Sequence, residues 1–116
     1  KGDSISYGRT WICEEDTCIA VLPIGYADGF FRRFNNNISV KINDKIYPQV
    51  GRICMDQCMI NIGNNHNVKI GDKVTIFSVH SDEESLSIEL LAQKTNTISY
   101  EILCGISKRV PRIYIN

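Results

Sequence analysis

The sequence has no surplus of charge: 13 Lys and Arg balance 13 Asp and Glu, for a formal net charge of zero. Nothing in that balance selects nucleic acid or an anionic membrane surface as a partner. No apolar run approaches the roughly 18 residues that a membrane-spanning helix needs, so no transmembrane segment is expected. No signal peptide is expected in these residues. It starts at Lys1-Gly2-Asp3 without Met, which reads as a piece of a longer protein. Histidine is scarce, with His66 and His80 only, both in polar loops. The cysteines are Cys13, Cys18, Cys54, Cys58 and Cys104. They form no C-x-x-C and have no histidine cluster beside them, so no metal site is expected. Cys54 and Cys58 lie in a stretch that reads as a strand, too far apart along an extended chain for a mutual disulfide. The expectation is reduced, buried thiols in a cytosolic protein. There is no hydrolytic triad, no phosphate loop and no G-x-G-x-x-G. Linkers, low-complexity tracts and internal repeats are also missing.

What is present reads as one small domain: 116 residues, 43% apolar and 22% charged, enough for a single core. Residues 4–13 hold Ile5, Tyr7, Thr10, Trp11 and Ile12 and read as a strand. Residues 17–23 form a second, nearly continuous in apolar content and therefore expected to be buried. Residues 24–29 make a glycine-bracketed loop, and residues 30–34 one helical turn that Asn35-Asn36-Asn37 ends. Residues 38–42 alternate as a half-exposed strand does. Asn43-Asp44 marks a hairpin turn without the favoured Gly, and residues 45–50 return with Pro48 near an edge. Residues 68–73 turn into a strand over 74–77. Residues 81–85 read as a surface loop. Ser87 caps a short helix over 88–94, whose Ile88, Leu91 and Ala92 share a face. Thr97 caps a second over 98–104, stopped at Gly105. Residues 107–115 close as a strand, with Pro111 at an edge. The pattern predicts a mainly β, compact barrel-like domain with two short helices near the C-terminal end.

The stretch that stands out is residues 50–60. It reads as a strand, with Ile53, Met55, Gln57 and Met59 on one face and Arg52, Cys54, Asp56 and Cys58 on the other. Apolar residues on both faces argue burial, yet an unpaired Arg52 or Asp56 inside would be costly. The two must meet each other, water or a partner, so something polar is expected to dock there. Tyrosines are the other candidates: Tyr7 beside Gly8, Tyr26 inside the glycine-bracketed loop, and Tyr100 at the start of the second helix. Singly, each also fits a packing residue with a satisfied hydroxyl.

Together, five ordered stretches resemble the C-terminal domain of alanine racemase across essentially the whole chain. They are Ser6-Tyr7-Gly8; Pro23-Ile24-Gly25-Tyr26-Ala27-Asp28-Gly29; Val50-Gly51-Arg52-Ile53-Cys54-Met55-Asp56-Gln57; Thr97-Ile98-Ser99-Tyr100-Glu101; and Lys108-Arg109-Val110-Pro111-Arg112. The resemblance implies an enzyme that uses pyridoxal 5'-phosphate to interconvert L- and D-alanine, supplying D-alanine for peptidoglycan. In that family an N-terminal (β/α)8 barrel carries the lysine that holds the cofactor. The β-domain completes the active site of the other subunit in a head-to-tail homodimer. On this reading residues 1–116 are the β-domain alone, the barrel is absent from the chain, and no lysine here is the cofactor lysine.

Matched position by position, the resemblance assigns Tyr7 as the base that takes the α-proton from the L-enantiomer. It assigns the Met55 backbone N–H to the substrate carboxylate and Tyr100 to the cofactor phosphate. Tyr26, Arg32, Arg52 and Asp56 fall on the corridor into the site. A phenol in water, with a pKa near ~10, is a poor base at neutral pH, so the completed site must stabilise the phenolate. Thr10-Trp11 and Ser99 depart from commoner family residues and leave substrate identity open. Two other readings stand beside the first. One is a serine/alanine racemase of a glycopeptide-resistance system, which is membrane-anchored rather than simply cytoplasmic. The other is a non-catalytic β-module that docks on a partner.

Overall fold

Residues 38–50 fold as their alternation predicts. Strand β4 (Ser39–Ile42) buries Val40 and Ile42 and leaves Ser39 and Lys41 half-exposed, then returns as β5 (Lys45–Val50). Asn43 and Asp44 at the turn have φ of 50° and 66°. That is the pair of left-handed residues a two-residue hairpin requires, supplied here by side chains that tolerate it without glycine. The structure is a computed structural model, described for residues 1–78 and 86–115. The loop expected over residues 81–85, and His80, lie outside the described residues.

The remaining strands are β1 (Ser4–Ile5), β2 (Trp11–Ile12), β3 (Cys18–Leu22), β6 (Cys58–Gly63) and β7 (Val74–Thr75), followed by helices α1 (Ile88–Lys94) and α2 (Ser99–Cys104). Five strands form one antiparallel sheet in the order β3-β6-β5-β4-β7, and β1 pairs with β2 as a separate ribbon. The sheet curls into a half-barrel, so the mainly β architecture with two late helices is the one predicted. Ser87 caps α1, its hydroxyl accepting from the Leu90 N–H, and Ile88, Leu91 and Ala92 are buried. These three meet Phe34, Val40, Ile42, Ile53, Ile60 and Ile102 in the core. Phe30 and Phe31 both pack edge-on to Phe34, with centroids 5.7 and 5.6 Å away.

Several local expectations are corrected. Residues 4–13 are not one strand: the 3-10 turn Tyr7–Arg9 separates β1 from β2, because Gly8 and Arg9 have positive φ. β3 is not buried but lies at a sheet edge, with Cys18 and Val21 exposed. β5 is internal rather than at an edge. Pro48 is tolerated there because β6 pairs with β5 only at Gln49 and Val50, beyond the proline. α2 has Ile98, not Thr97, at its cap position, and the Thr97 hydroxyl donates to Glu101 instead. Residues 107–115 form no strand: they turn at Ser107 and run on exposed. The largest correction is at residues 50–60, where Val50 ends β5, Cys58 starts β6, and residues 51–57 are a loop.

Candidate functional site

The loop over residues 51–57 is irregular because its backbone partners are side chains and other loops. Gly51 has a φ of +76°, which breaks the extended run after β5. The Gly51 N–H then donates to Asn36 Oδ1 at 3.2 Å, the Arg52 N–H to Ser6 Oγ at 2.9 Å, and the Ile53 N–H to Asn35 Oδ1 at 2.8 Å. Ile53, 1% exposed, plugs the loop into the core. Gln49 is also 1% exposed. Its amide donates to the Val50 and Gly51 carbonyls, both at 2.9 Å, and its oxygen accepts from the Asn36 N–H at 2.8 Å. A buried amide satisfied this fully is a structural clamp.

A second loop leans on the first. The Tyr26 and Ala27 N–H groups donate to the Cys54 and Met55 carbonyls, both at 3.0 Å. Only glycine permits this approach: a Cβ on Gly25 would stand 2.2 Å from the Cys54 oxygen and 2.4 Å from that of Met55. Asp28 folds the turn back, accepting from the Gly25 N–H at 2.9 Å. Arg109 then joins the two loops. Its Nε donates to Asp28 Oδ1 at 2.6 Å, and its Nη2 pairs with Asp56. Arg52 and Asp56 therefore do not neutralise each other: Asp56 takes Arg109, while the Arg52 guanidinium lies against Gly8.

Hydrogen bonding from Arg109, aided by the Gly25 N–H, holds the Asp28 carboxyl below the usual carboxylate range. A carboxyl with a depressed folded pKa stabilises the fold above its unfolded value of about 3.9, and that stability is lost as pH falls through the folded pKa. Arg109→Gln is therefore expected to lower the melting temperature at pH 7, with the gap from the parent protein closing at pH values below about 4. Melting scans across pH check this; a gap that stays constant down the acid limb contradicts it.

Five of the seven predicted residues are brought together. Tyr7 stands on the 3-10 turn whose neighbour Ser6 holds Arg52, and Arg52, Met55 and Asp56 share the loop that Tyr26 overlies. Tyr7 is 70% exposed and Met55 51%. Among the described residues no acceptor takes the Met55 N–H, although its carbonyl is engaged. Arg32 and Tyr100 lie apart. No hydrogen bond or ion pair among the described residues joins their side chains to this cluster. They sit on neighbouring elements instead, with the turn Arg32–Phe34 tied to α2 by the Arg33–Glu101 ion pair at 2.6 Å. The end of α2 docks beneath the Tyr26 turn, where a Cβ on Gly29 would stand 2.5 Å from the Gly105 oxygen.

Sequence reasoning missed the supports. Asn35 and Asn36 looked like a helix stop, yet they are acceptors for the loop; their residue type is the one signal, since Asn caps backbone readily. Arg109 and Gln49 gave no local sign. The thiols are free, but only Cys13 and Cys58 are buried: Cys18 lies exposed on the edge strand, Cys104 is exposed at the end of α2, Cys54 is half-buried, and the chain turns between Cys54 and Cys58 instead of running extended. Burial pushes the Cys58 thiol up to about 12, which keeps it protonated. No group of three or more His, Cys, Asp or Glu among the described residues could hold a metal ion. None of their helices is long and apolar enough to cross a membrane.

Two grooves lie elsewhere. One, of about 650 Å³, runs between β3 and the turn at 66–74; the other, of about 520 Å³, lies at Trp11 and Glu14. Neither is lined by Tyr7, Tyr26, Arg52 or Met55; Tyr7, Tyr26 and Met55 are exposed, and Arg52 is half-buried.

The family described as "Alanine racemase, C-terminal domain" matches residues 1–114. Alanine racemase 1 of Clostridium acetobutylicum is 47% identical over 98% of this chain, which corresponds to 29% of that protein. The alanine racemase of Methanococcus maripaludis is 50% identical over 100% of this chain and 31% of its own length. In structure, the alanine racemase of Bacillus anthracis aligns over 100% of this chain and 29% of that chain, at 44% identity and a TM-score of 0.88. That of Streptomyces lavendulae aligns over 99% and 30% respectively, at 36% identity and a TM-score of 0.90. The chain thus spans about three-tenths of the length of the relatives it matches. From its paired loops to its half-barrel, the chain belongs to the alanine racemase C-terminal domain family.

Proposed function

We propose that this domain supplies one wall of the active site of a pyridoxal phosphate-dependent alanine racemase, acting on the barrel of a partner subunit in a head-to-tail homodimer. The observation that carries the reading is the open cluster: an exposed Tyr7, a Met55 N–H that no acceptor among the described residues takes, and the Arg52 side chain, all on turns and loops hydrogen-bonded together and facing solvent at Tyr7 and Met55. A wall so rigidly built and so open is what a site completed in trans needs.

Each residue then has a task. Racemisation needs a proton acceptor on each face of a planar intermediate; Tyr7 serves one face and a barrel lysine the other. The Met55 N–H binds the substrate carboxylate, which holds the Cα–H bond in line with the phenol. Arg52, Asp56 and Tyr26 line the approach, and Arg32 stands further out on it. Tyr100, 74% exposed on the first turn of α2, fits a hydrogen bond to the cofactor phosphate. The cofactor, when bound, supplies the electron sink that makes the α-proton acidic. The cluster contains no lysine, so this chain fits a contact to the cofactor and not its attachment point.

The alanine racemase of Clostridium difficile has been solved in complex with cycloserine, and that of Bacillus anthracis with bound L-Ala-P. Both support an alanine-sized ligand for this site. Assaying the intact protein with L-alanine and L-serine tests the reading. Racemisation of alanine is expected to be the faster; a preference for serine, or no racemisation of either, contradicts it.

A further inference from the structure

Tyr7 reaches the surface from unusual backbone. Ser6, directly before it, has φ 66° and ψ 173°. That combination is almost confined to glycine, because a Cβ crowds the backbone there. Gly8 and Arg9 follow with φ of 72° and 51°. A non-glycine residue keeps such a conformation only where its surroundings over-determine it.

Here the surroundings are identifiable. The Ser6 hydroxyl accepts from the Arg52 N–H at 2.9 Å and meets the Thr10 hydroxyl at 3.3 Å. The Ser6 carbonyl accepts from the Arg9 N–H at 3.3 Å. A Cβ on Gly51 would stand 2.6 Å from Ser6 Oγ, so only glycine lets the two segments come this close. Across Tyr7, a Cβ on Gly8 would stand 3.0 Å from Nη1 of Arg52. Residues 6–8 are therefore held between Gly51 and the Arg52 side chain. The Tyr7 ring is mostly exposed, so packing on the ring itself is not what aims it.

We propose that Ser6 is a positioning residue for Tyr7. Its hydroxyl, engaged by the Arg52 N–H, locks the strained turn that aims the phenol and sets it at a fixed distance from the loop bearing the Met55 N–H. The proposal rests on the racemase reading above. Serine suits the role for a simple reason: glycine would adopt this backbone more easily but offers no acceptor to Arg52. Alanine would carry the strain without the hydrogen bond. Without that hydrogen bond the turn is no longer held against the Arg52 loop, and the phenol samples directions off the α-proton. Loss of near-attack geometry on this scale slows proton transfer without any loss of the base.

Ser6→Gly in the intact protein tests this, with three measurements: solvent deuterium incorporation at Cα of L-alanine and of D-alanine separately, melting temperature, and amide hydrogen exchange at Arg52. A merely structural role predicts unchanged exchange into both enantiomers, since glycine is at home in this conformation. The proposal predicts a melting temperature near that of the parent and a faster-exchanging Arg52 amide. Incorporation into L-alanine is slowed about tenfold or more, with little change for D-alanine. Parent-level rates for both enantiomers, or equal slowing of both, overturn it. If Ser6→Gly does not fold, Ser6→Ala is judged by the same two rates. A parent protein that exchanges neither enantiomer overturns the racemase reading itself, while the Arg52 amide still reports on the clamp independently of catalysis.

Discussion

Replacing Tyr7 with Phe in the intact protein is expected to slow removal of the α-proton from L-alanine by roughly 10²–10⁴-fold, the usual worth of a positioned acid–base group. D-alanine is expected to keep exchanging its α-proton with solvent. Net racemisation must fall equally in both directions, because the enantiomers are equally stable and equilibrium ties the forward and reverse efficiencies together. The asymmetry is therefore read in deuterium incorporation, one enantiomer at a time. Phe keeps the ring and removes the hydroxyl of a residue that is already 70% exposed, so fold stability is expected to change little. Equal loss of exchange from both enantiomers would remove Tyr7 from its role on the L-face.

Gln49→Leu is expected to be the most damaging single change to the framework. The side chain is buried and fully used, with two bonds to the Val50 and Gly51 carbonyls and one from the Asn36 N–H. Leucine fills similar space but takes the amide away from two buried carbonyls, at about 1–3 kcal/mol each where they are left without a partner, and from the part-buried Asn36 N–H. Relaxation recovers part of that, so a loss of about 3 kcal/mol or more is expected, against a total of about 5–15 kcal/mol for a typical domain. Chemical denaturation of the variant measures it. Because Asn36 also holds the Gly51 N–H, the loop carrying Met55 is expected to loosen with it. A change within about 0.5 kcal/mol, the range of an ordinary surface substitution, contradicts the clamp.

The contrast between these two residues shows what could be read before the structure. Tyr7 lies in a short motif with its glycine beside it, and the family resemblance names it as a candidate. The β4–β5 hairpin and the Ser87 cap were equally legible, because partners a few residues apart decide them. Gln49 was not legible. A lone Gln in a strand says nothing until Asn36, 13 residues earlier, is folded against it. Arg109 is the extreme case: it sits in a recognised stretch, but Asp28 is 81 residues away and Asp56 53.

The loop at 51–57 failed as a strand for the same reason. Its residues favour extended structure, but Ser6, Asn35 and Asn36 claim its N–H groups from elsewhere in the chain. The polarity that marks this stretch is that of a loop at the surface, not of a buried strand. Arg52 and Asp56 are not a buried pair needing each other. They belong to a surface that is left open. The opposite error occurred at β3, where an apolar run implied burial and the strand instead lies at an edge with Val21 exposed.

The central claim is that this open wall works in a partner's site. Subunit complementation tests it most directly. One full-length variant carries Tyr7→Phe with its barrel intact; a second lacks the barrel's cofactor lysine and keeps Tyr7. Each alone is expected to be inactive in racemisation. Mixed under conditions that let subunits exchange at random, half the dimers are hybrid, and each hybrid holds one site with both groups intact. Recovery of about a quarter of parent activity is the predicted result. No recovery, with hybrid dimers shown to be present, would mean that Tyr7 serves the barrel of its own chain, and the claim would fail.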